Sequence, residues 1–273
     1  MIKPLPTLFL SHGSPMHAID AGEVGDAWAA LGKRLPRPDA VVVASAHWET
    51  SVPMVTGSAH PETIHDFGGF PEALYAIEYP ARGEPALAER IVGLLRDAGI
   101  TAGIEGCRGI DHGVWVPLRW MYPRADIPVV EVSVSPARGT LHHLALGRAL
   151  APLAEANVLV IGSGHATHNL RDWMLRRGPG GPLPYAAAFA HWLEQRLAAH
   201  DEAALLDYRA EAPEAARAHP TEEHFLPLFV AWGAAGTRAM TERVVGGYEN
   251  GALSRDSFLF TRAASDEDLQ VNG

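Results

Sequence analysis

Three short aliphatic runs in this sequence each break into a histidine. Thr7-Leu8-Phe9-Leu10 leads to Ser11-His12-Gly13, Val41-Val42-Val43-Ala44-Ser45-Ala46 leads to His47-Trp48, and Val158-Leu159-Val160-Ile161-Gly162-Ser163-Gly164 leads to His165-Ala166-Thr167-His168. Consecutive aliphatic residues over so few positions, bounded by Gly, Pro or Ser, suit strands buried on both faces. Residues 7–10, 40–44, 129–134 and 158–161 are therefore strand candidates. Between them, residues 84–98, 140–156 and 185–199 carry apolar side chains at three- and four-residue spacing on an Ala-, Leu-, Glu- and Arg-rich background, which predicts helices. That alternation implies an α/β fold: one domain over residues 1–273 with a central mixed, largely parallel β-sheet flanked by helices. Residues 240–245 and 257–260 are candidate edge strands. Residues 57–70 and 178–184, rich in Gly, Pro and His, read as loops, and the polar tail after Thr261 is expected to fray.

The chain has 273 residues, 47% hydrophobic and 20% charged, enough for one large core or two small ones. Its net charge of −10 and the absence of any Lys/Arg-rich run argue against nucleic acid as a partner. No stretch is long enough to cross a bilayer, and no cleavage pattern follows the short apolar opening, so the expected location is cytoplasmic. A single cysteine, Cys107, excludes an internal disulfide framework and a cysteine-rich zinc site, so any metal must be held by nitrogen and oxygen. The 14 histidines are the natural candidates.

In an open parallel sheet the carboxyl ends of the strands face one crevice, where such folds bind ligands. His12, His47 and His168 can converge there although far apart in sequence. A single strand-end histidine is ordinarily bonded to a loop carbonyl, but the feature recurs at three strands. The small residues around them, Ser11, Gly13, Ala46 and Gly162-Ser163-Gly164, let backbone pass close to an ion or ligand. His224 falls in Thr221-Glu222-Glu223-His224-Phe225-Leu226-Pro227, read as the first turn of a helix capped by Thr221, with Glu222 and Glu223 complementing the helix dipole. Asp111-His112-Gly113 precedes the apolar Val114-Trp115-Val116-Pro117-Leu118, a candidate pocket wall beside a titratable group. His65-Asp66-Phe67-Gly68-Gly69-Phe70 is a second such loop, with glycines that suit a lid. Of the remaining histidines, His165 is near enough to His168 to share the site, and the others, including His142 and His143 at a solvated helix start, read as surface or packing residues. Neither a phosphate-binding loop nor a serine-nucleophile elbow is present.

Leu8-Phe9-Leu10-Ser11-His12-Gly13-Ser14-Pro15-Met16, Ser45-Ala46-His47-Trp48, Thr63-Ile64-His65-Asp66-Phe67-Gly68-Gly69-Phe70-Pro71, Asp111-His112-Gly113, His168-Asn169-Leu170 and Glu223-His224-Phe225-Leu226-Pro227-Leu228 occur in this order across most of the chain. In these motifs the sequence resembles the class III extradiol ring-cleavage dioxygenases, in their 4,5-DOPA dioxygenase branch. The resemblance implies one divalent metal ion per chain, held by His12, His47 and His224, with His168 as a further ligand or as the catalytic base. It also implies His112 as an alternative acid or base, a substrate pocket that includes His65, Phe70 and Trp115, and a small catechol and O2 as reactants. More distant relatives use a carboxylate as third ligand, and an all-histidine set suits zinc as well as iron. Fe(2+) can react with oxygen whereas Zn(2+) has no accessible redox state, so iron is expected for ring cleavage and zinc is the alternative. The same histidines could instead serve a zinc-dependent hydrolase or a noncatalytic metal-binding protein. An enclosed aromatic pocket would favour the oxygenase. Nothing in the pattern opposes an oligomer.

Overall fold

The computed structural model describes residues 4–176 and 180–262. Ten strands occur among them: β1 (Thr7–Ser11), β2 (Ala40–Glu49), β3 (Met54–Thr56), β4 (Gly103–Glu105), β5 (Val129–Val134), β6 (Val158–Gly164), β7 (Met240–Val245), β8 (Tyr248–Glu249), β9 (Leu253–Ser254) and β10 (Ser257–Thr261). Eight form one sheet in the order β4-β3-β5-β2-β6-β1-β10-β7, and β8 and β9 make a small separate ribbon. The centre is parallel, β5 with β2, β2 with β6 and β6 with β1. β10 joins β1 antiparallel and β7 closes that edge, while β3 joins β5 antiparallel at the other side.

The aliphatic runs form strands because both faces of the sheet are covered. Along β2, Val41 and Val43 enter one core with Leu8, Leu10, Trp28 and Trp115, whereas Val42 and Ala44 enter another with Ile91, Leu146 and Val230. A third core gathers Phe9, Phe258 and Phe260 with the helices Pro184–Ala198 and Leu226–Ala235. Burying each such side chain contributes roughly 1.5–3 kcal/mol. The expected helix over 140–156 is divided into Gly139–Leu150 and Pro152–Glu155, because proline cannot continue the hydrogen-bond ladder. The helix His112–Met121 carries Pro117 inside it. Part of the loop expected over 178–184, and the tail beyond residue 262, lie outside the described residues. No helix among the described residues is long and apolar enough to cross a membrane.

Two local readings are corrected. The helix after His224 runs Leu226–Ala235 with Phe225 at its N-cap, so His224 precedes the first turn, and the Thr221 hydroxyl donates to Glu223 Oε1 instead of capping. His143 is fully buried: its Nδ1 donates to the Gly139 carbonyl at 2.6 Å and its Nε2 accepts from the Ser135 amide at 3.0 Å.

Candidate active site

β1, β6 and β2 are neighbours and run the same way, so their carboxyl ends open side by side, with Ser11 opposite Gly164 and Ser45 opposite Ser163. His12 follows β1 directly. The pairing of β2 with β5 breaks between Ser45 and Glu49, and His47 lies on that irregular stretch. The third element is the segment before Leu226–Ala235, which lies against β6: the His165 amide donates to the His224 carbonyl at 2.8 Å. Gly162 and Gly164 make this approach possible, since a Cβ on them would stand 2.0 Å from the Pro227 oxygen and 2.1 Å from the His224 oxygen. The glycines thus make room for a second backbone segment that carries a histidine.

The imidazoles of His12, His47 and His224 meet in this crevice. The Nε2 atoms of His12 and His47 are 3.0 Å apart, and those of His47 and His224 are 3.3 Å apart. Each outer nitrogen is tied down. His12 Nδ1 faces Ser163 Oγ at 2.9 Å; because that hydroxyl donates to the Gly113 carbonyl, it must accept from the histidine. His47 Nδ1 lies 3.2 Å from Asp66 Oδ2, and His224 Nδ1 lies 2.9 Å from Glu223 Oε1. Nδ1 carries the proton in all three, which leaves three Nε2 lone pairs converging. Unprotonated nitrogens repel at such distances unless a cation lies among them. The edge of a tetrahedron with metal–nitrogen bonds of about 2.0 Å is roughly 3.3 Å, so the donor set fits a metal ion.

Burial is the main reason that these histidines are neutral. It lowers His47 to about 4, assisted by the nearby His112, and holds His12 and His224 well below the usual range, assisted by the charges of neighbouring histidines. His168 is brought in against His224, its ring stacked at 3.5 Å and 14°, and burial lowers it to about 3. Its amide donates to the Ala218 carbonyl, and Asn169 beside it bonds the Arg217 carbonyl and caps Leu170–Leu175. No protein hydrogen bond holds either ring nitrogen of His168 among the described residues. His165 is also within the group, but its Nε2 accepts from the Gly13 amide at 3.1 Å and its Nδ1 faces the Ser254 carbonyl, so both nitrogens are engaged by backbone.

His112, the first residue of its helix, has its ring centre 4.0 Å from that of His47 and 5.4 Å from that of His12. Asp66 accepts from both its amide and its Nδ1, at 3.0 and 2.9 Å. Burial alone would push Asp66 up, but the bonds and charge of His112, and then His47, outweigh it and bring the carboxyl down to about 2. The 57–70 loop therefore contributes an ionised carboxylate as well as aromatic rings. Phe67 packs edge-on against His112 at 5.6 Å, with His65 and Phe70 at its other sides. Trp115 is fully buried behind them and donates its indole N–H to the Ile64 carbonyl, while His65 Nε2 donates to the Ile77 carbonyl.

Several contributors went unnoticed in the sequence reading. Ser163, Asp66 and Glu223 orient histidines, and the last two sit directly beside one in the sequence, in His65-Asp66 and Glu223-His224. Glu222, assigned with Glu223 to the helix dipole, instead binds the Tyr208 hydroxyl and Arg209. Behind His47, Arg108 reaches the His47 carbonyl, Asp111 and Glu131 and lies over the Trp48 ring. Glu131 is buried within β5 and accepts from the Asp111 amide; burial, and then Asp111, raise its carboxyl above the usual range.

Comparison with known proteins agrees with this arrangement. Residues 6–254 match the family model described as the catalytic LigB subunit of aromatic ring-opening dioxygenase. A 4,5-DOPA dioxygenase extradiol from Beta vulgaris is 43% identical over 93% of this chain and 96% of its own length. Proteins of the same description from Escherichia coli K12 and Portulaca grandiflora are each 41% identical, covering 92% and 93% of this chain and 92% and 95% of theirs. The crystal structure of an uncharacterized Escherichia coli K12 protein superposes with a TM-score of 0.79 at 35% identity, over 93% of this chain and 99% of that one. The chain therefore belongs to the LigB family of aromatic ring-opening dioxygenases and is an enzyme of the extradiol type.

Proposed function

We propose that this cytoplasmic enzyme, acting as one catalytic unit, opens the ring of a DOPA-like catechol with O2 to give a muconic semialdehyde. The observation that carries the reading is the convergence of three unprotonated Nε2 atoms, from His12, His47 and His224, each fixed by a partner on its far nitrogen. These residues are the proposed ligands of one divalent metal, iron(II) in the working enzyme, with zinc as the ion that the same set would retain on isolation. When bound, iron(II) supplies the electronic access between dioxygen and a closed-shell catechol that zinc lacks.

The chain's own groups divide the remaining work. His168 lies against His224 with no protein hydrogen bond to its ring nitrogens among the described residues, and we assign it the catechol hydroxyl proton; a neutral imidazole can take that proton and later return it. His112 has Nδ1 committed to Asp66, so its Nε2 is the atom available to a substrate oxygen or to a second proton transfer. Phe67, with Phe70 and His65 beside it and Trp115 supporting them from behind, offers a wall for a flat ring. The substrate names of the relatives support a DOPA-like ring.

The test is anaerobic loading with iron(II) or zinc, then L-DOPA or simple catechols in air, following oxygen uptake and the yellow semialdehyde. One O2 consumed per catechol with iron alone is the expected result. Absence of uptake with every catechol and either metal overturns the proposal. His12→Ala should lose metal, whereas His168→Ala should keep metal and lose turnover by at least about 100-fold, the lower range for a general acid or base.

A further inference from the structure

Asp66 touches two of the gathered imidazoles at once. Its Oδ2 lies 3.2 Å from His47 Nδ1 and 2.9 Å from His112 Nδ1, and its Oδ1 accepts the His112 amide at 3.0 Å. The two rings stand 4.0 Å apart between centres, close enough for one oxygen to serve both. We infer that Asp66 is a positioning residue that fixes His47 and His112 in the Nδ1–H tautomer and so turns both Nε2 lone pairs toward the same point in the crevice.

Three features carry this. A carboxylate only accepts hydrogen bonds, so any imidazole nitrogen facing it must be the protonated one; a serine or an amide would permit either tautomer. The two oxygens are used differently, one accepting the His112 amide at the start of its helix and the other bonded to the His112 ring with His47 Nδ1 3.2 Å away, so rotation of the carboxyl group would break one contact to keep the other. The loop that delivers it is rooted: the Ile64 N–H donates to the Ile110 carbonyl at 2.8 Å, the Ile110 N–H donates to the Glu62 carbonyl at 2.9 Å, and the Trp115 indole holds the Ile64 carbonyl. Asp66 thus couples a proposed metal ligand, a proposed proton-transfer group and the aromatic wall to a single loop. The assignment of those two roles rests on the function proposed above, but the tautomer control does not.

Asp66→Asn separates the two. An amide oxygen can accept from only one of the two His112 N–H groups, and the amide NH2 would then face the other position. With the oxygen retained on the His112 amide, the His112 ring is expected to switch to the Nε2–H form. The tautomers are read by long-range proton–nitrogen correlation NMR of the zinc-loaded protein, with the Trp115 indole resonance showing whether the loop stays seated. The expected result is movement of His112 Nε2 from the unprotonated to the protonated region, with zinc bound roughly 10- to 100-fold more weakly, the usual effect of removing a partner of a metal-bound histidine. An unchanged His112 tautomer with the Trp115 resonance in place overturns the inference. If the asparagine variant unseats the loop, Asp66→Glu decides: it keeps an anionic acceptor and should keep Nδ1–H on both rings, and an Nε2–H form there with Trp115 seated overturns the inference as well. Failure of ring cleavage in the unaltered enzyme, with the tautomers behaving as expected, would strike the proposed function and leave this inference standing.

Discussion

Replacing Gly164 with alanine should weaken the proposed metal site without replacing any proposed ligand. The added Cβ would stand 2.1 Å from the carbonyl oxygen of His224, with Pro227 Cγ at 3.3 Å behind it. Ordinary contact begins near 3.4 Å, so the His224 carbonyl must retreat by about 1.3 Å. That atom is backbone, and it also accepts the His165 amide at 2.8 Å, so the movement breaks this bond and carries the imidazole with it. Overpacking costs roughly 1–3 kcal/mol and an unsatisfied buried N–H about 1–3 kcal/mol, so a loss of about 2–6 kcal/mol is expected. A displacement on this scale also parts the His224 and His47 nitrogens, now 3.3 Å apart, beyond what shared coordination tolerates. Urea denaturation gives the first quantity and metal titration with a competing chelator the second. Gly106→Ala is the control, because nothing lies within 4 Å of its Cβ position. If Gly164→Ala matched the control in both stability and metal affinity, the close-approach argument would be wrong.

Ser163→Ala should destabilise the protein by about 2–4 kcal/mol, because it strands both the His12 Nδ1–H and the Gly113 carbonyl in a buried site; a urea midpoint equal to that of the unaltered protein would contradict this. The pH dependence of stability should be visible at His143, which is not among the proposed site residues. Burial lowers its pKa to about 4, and protonation would sacrifice the bond from the Ser135 amide. The unfolded chain takes up this proton first, near 6.5, so the contribution is fully present above that pH and is lost as pH falls toward 4. Between pH 7.5 and pH 5 this one group should remove roughly 2 kcal/mol, and His143→Gln should show a correspondingly smaller loss in paired urea titrations at the two pH values.

How much of this was legible in the sequence depended on whether the cause was local. The central strands could be read because burial on both faces requires unbroken aliphatic runs, and residues 129–134 coincide with β5. The crevice was legible because β1, β2 and β6 run parallel and present their histidines at the same end. Less visible was the helix His112–Met121, where Gly113 and Pro117 mask the pattern, and in Leu226–Ala235 every residue is buried, so no polar face marks the period. Trp115 was read as a pocket wall because the sequence shows its apolarity but not its depth. The partners of the histidines were hardest to find. Ser163 reaches His12 across 151 positions, and only the sheet register brings them together.

That register also explains why the site is ready for a cation before one arrives. Four imidazoles from separate segments, those of His12, His47, His112 and His224, each have Nδ1 within 3.2 Å of an acceptor, namely Ser163, Asp66 twice, and Glu223. Anchoring of the outer nitrogens leaves the inner ones bare, and the fold holds those of His12 and His224 at 3.0 and 3.3 Å from that of His47. Relaxing their repulsion by protonation would charge a buried ring, which desolvation opposes. A cation relieves it directly, and the two carboxylates, one imidazole removed from the centre, add attraction without occupying a coordination position. Metal binding should therefore be linked to stability, because the ion removes an unfavourable interaction that folding alone imposes.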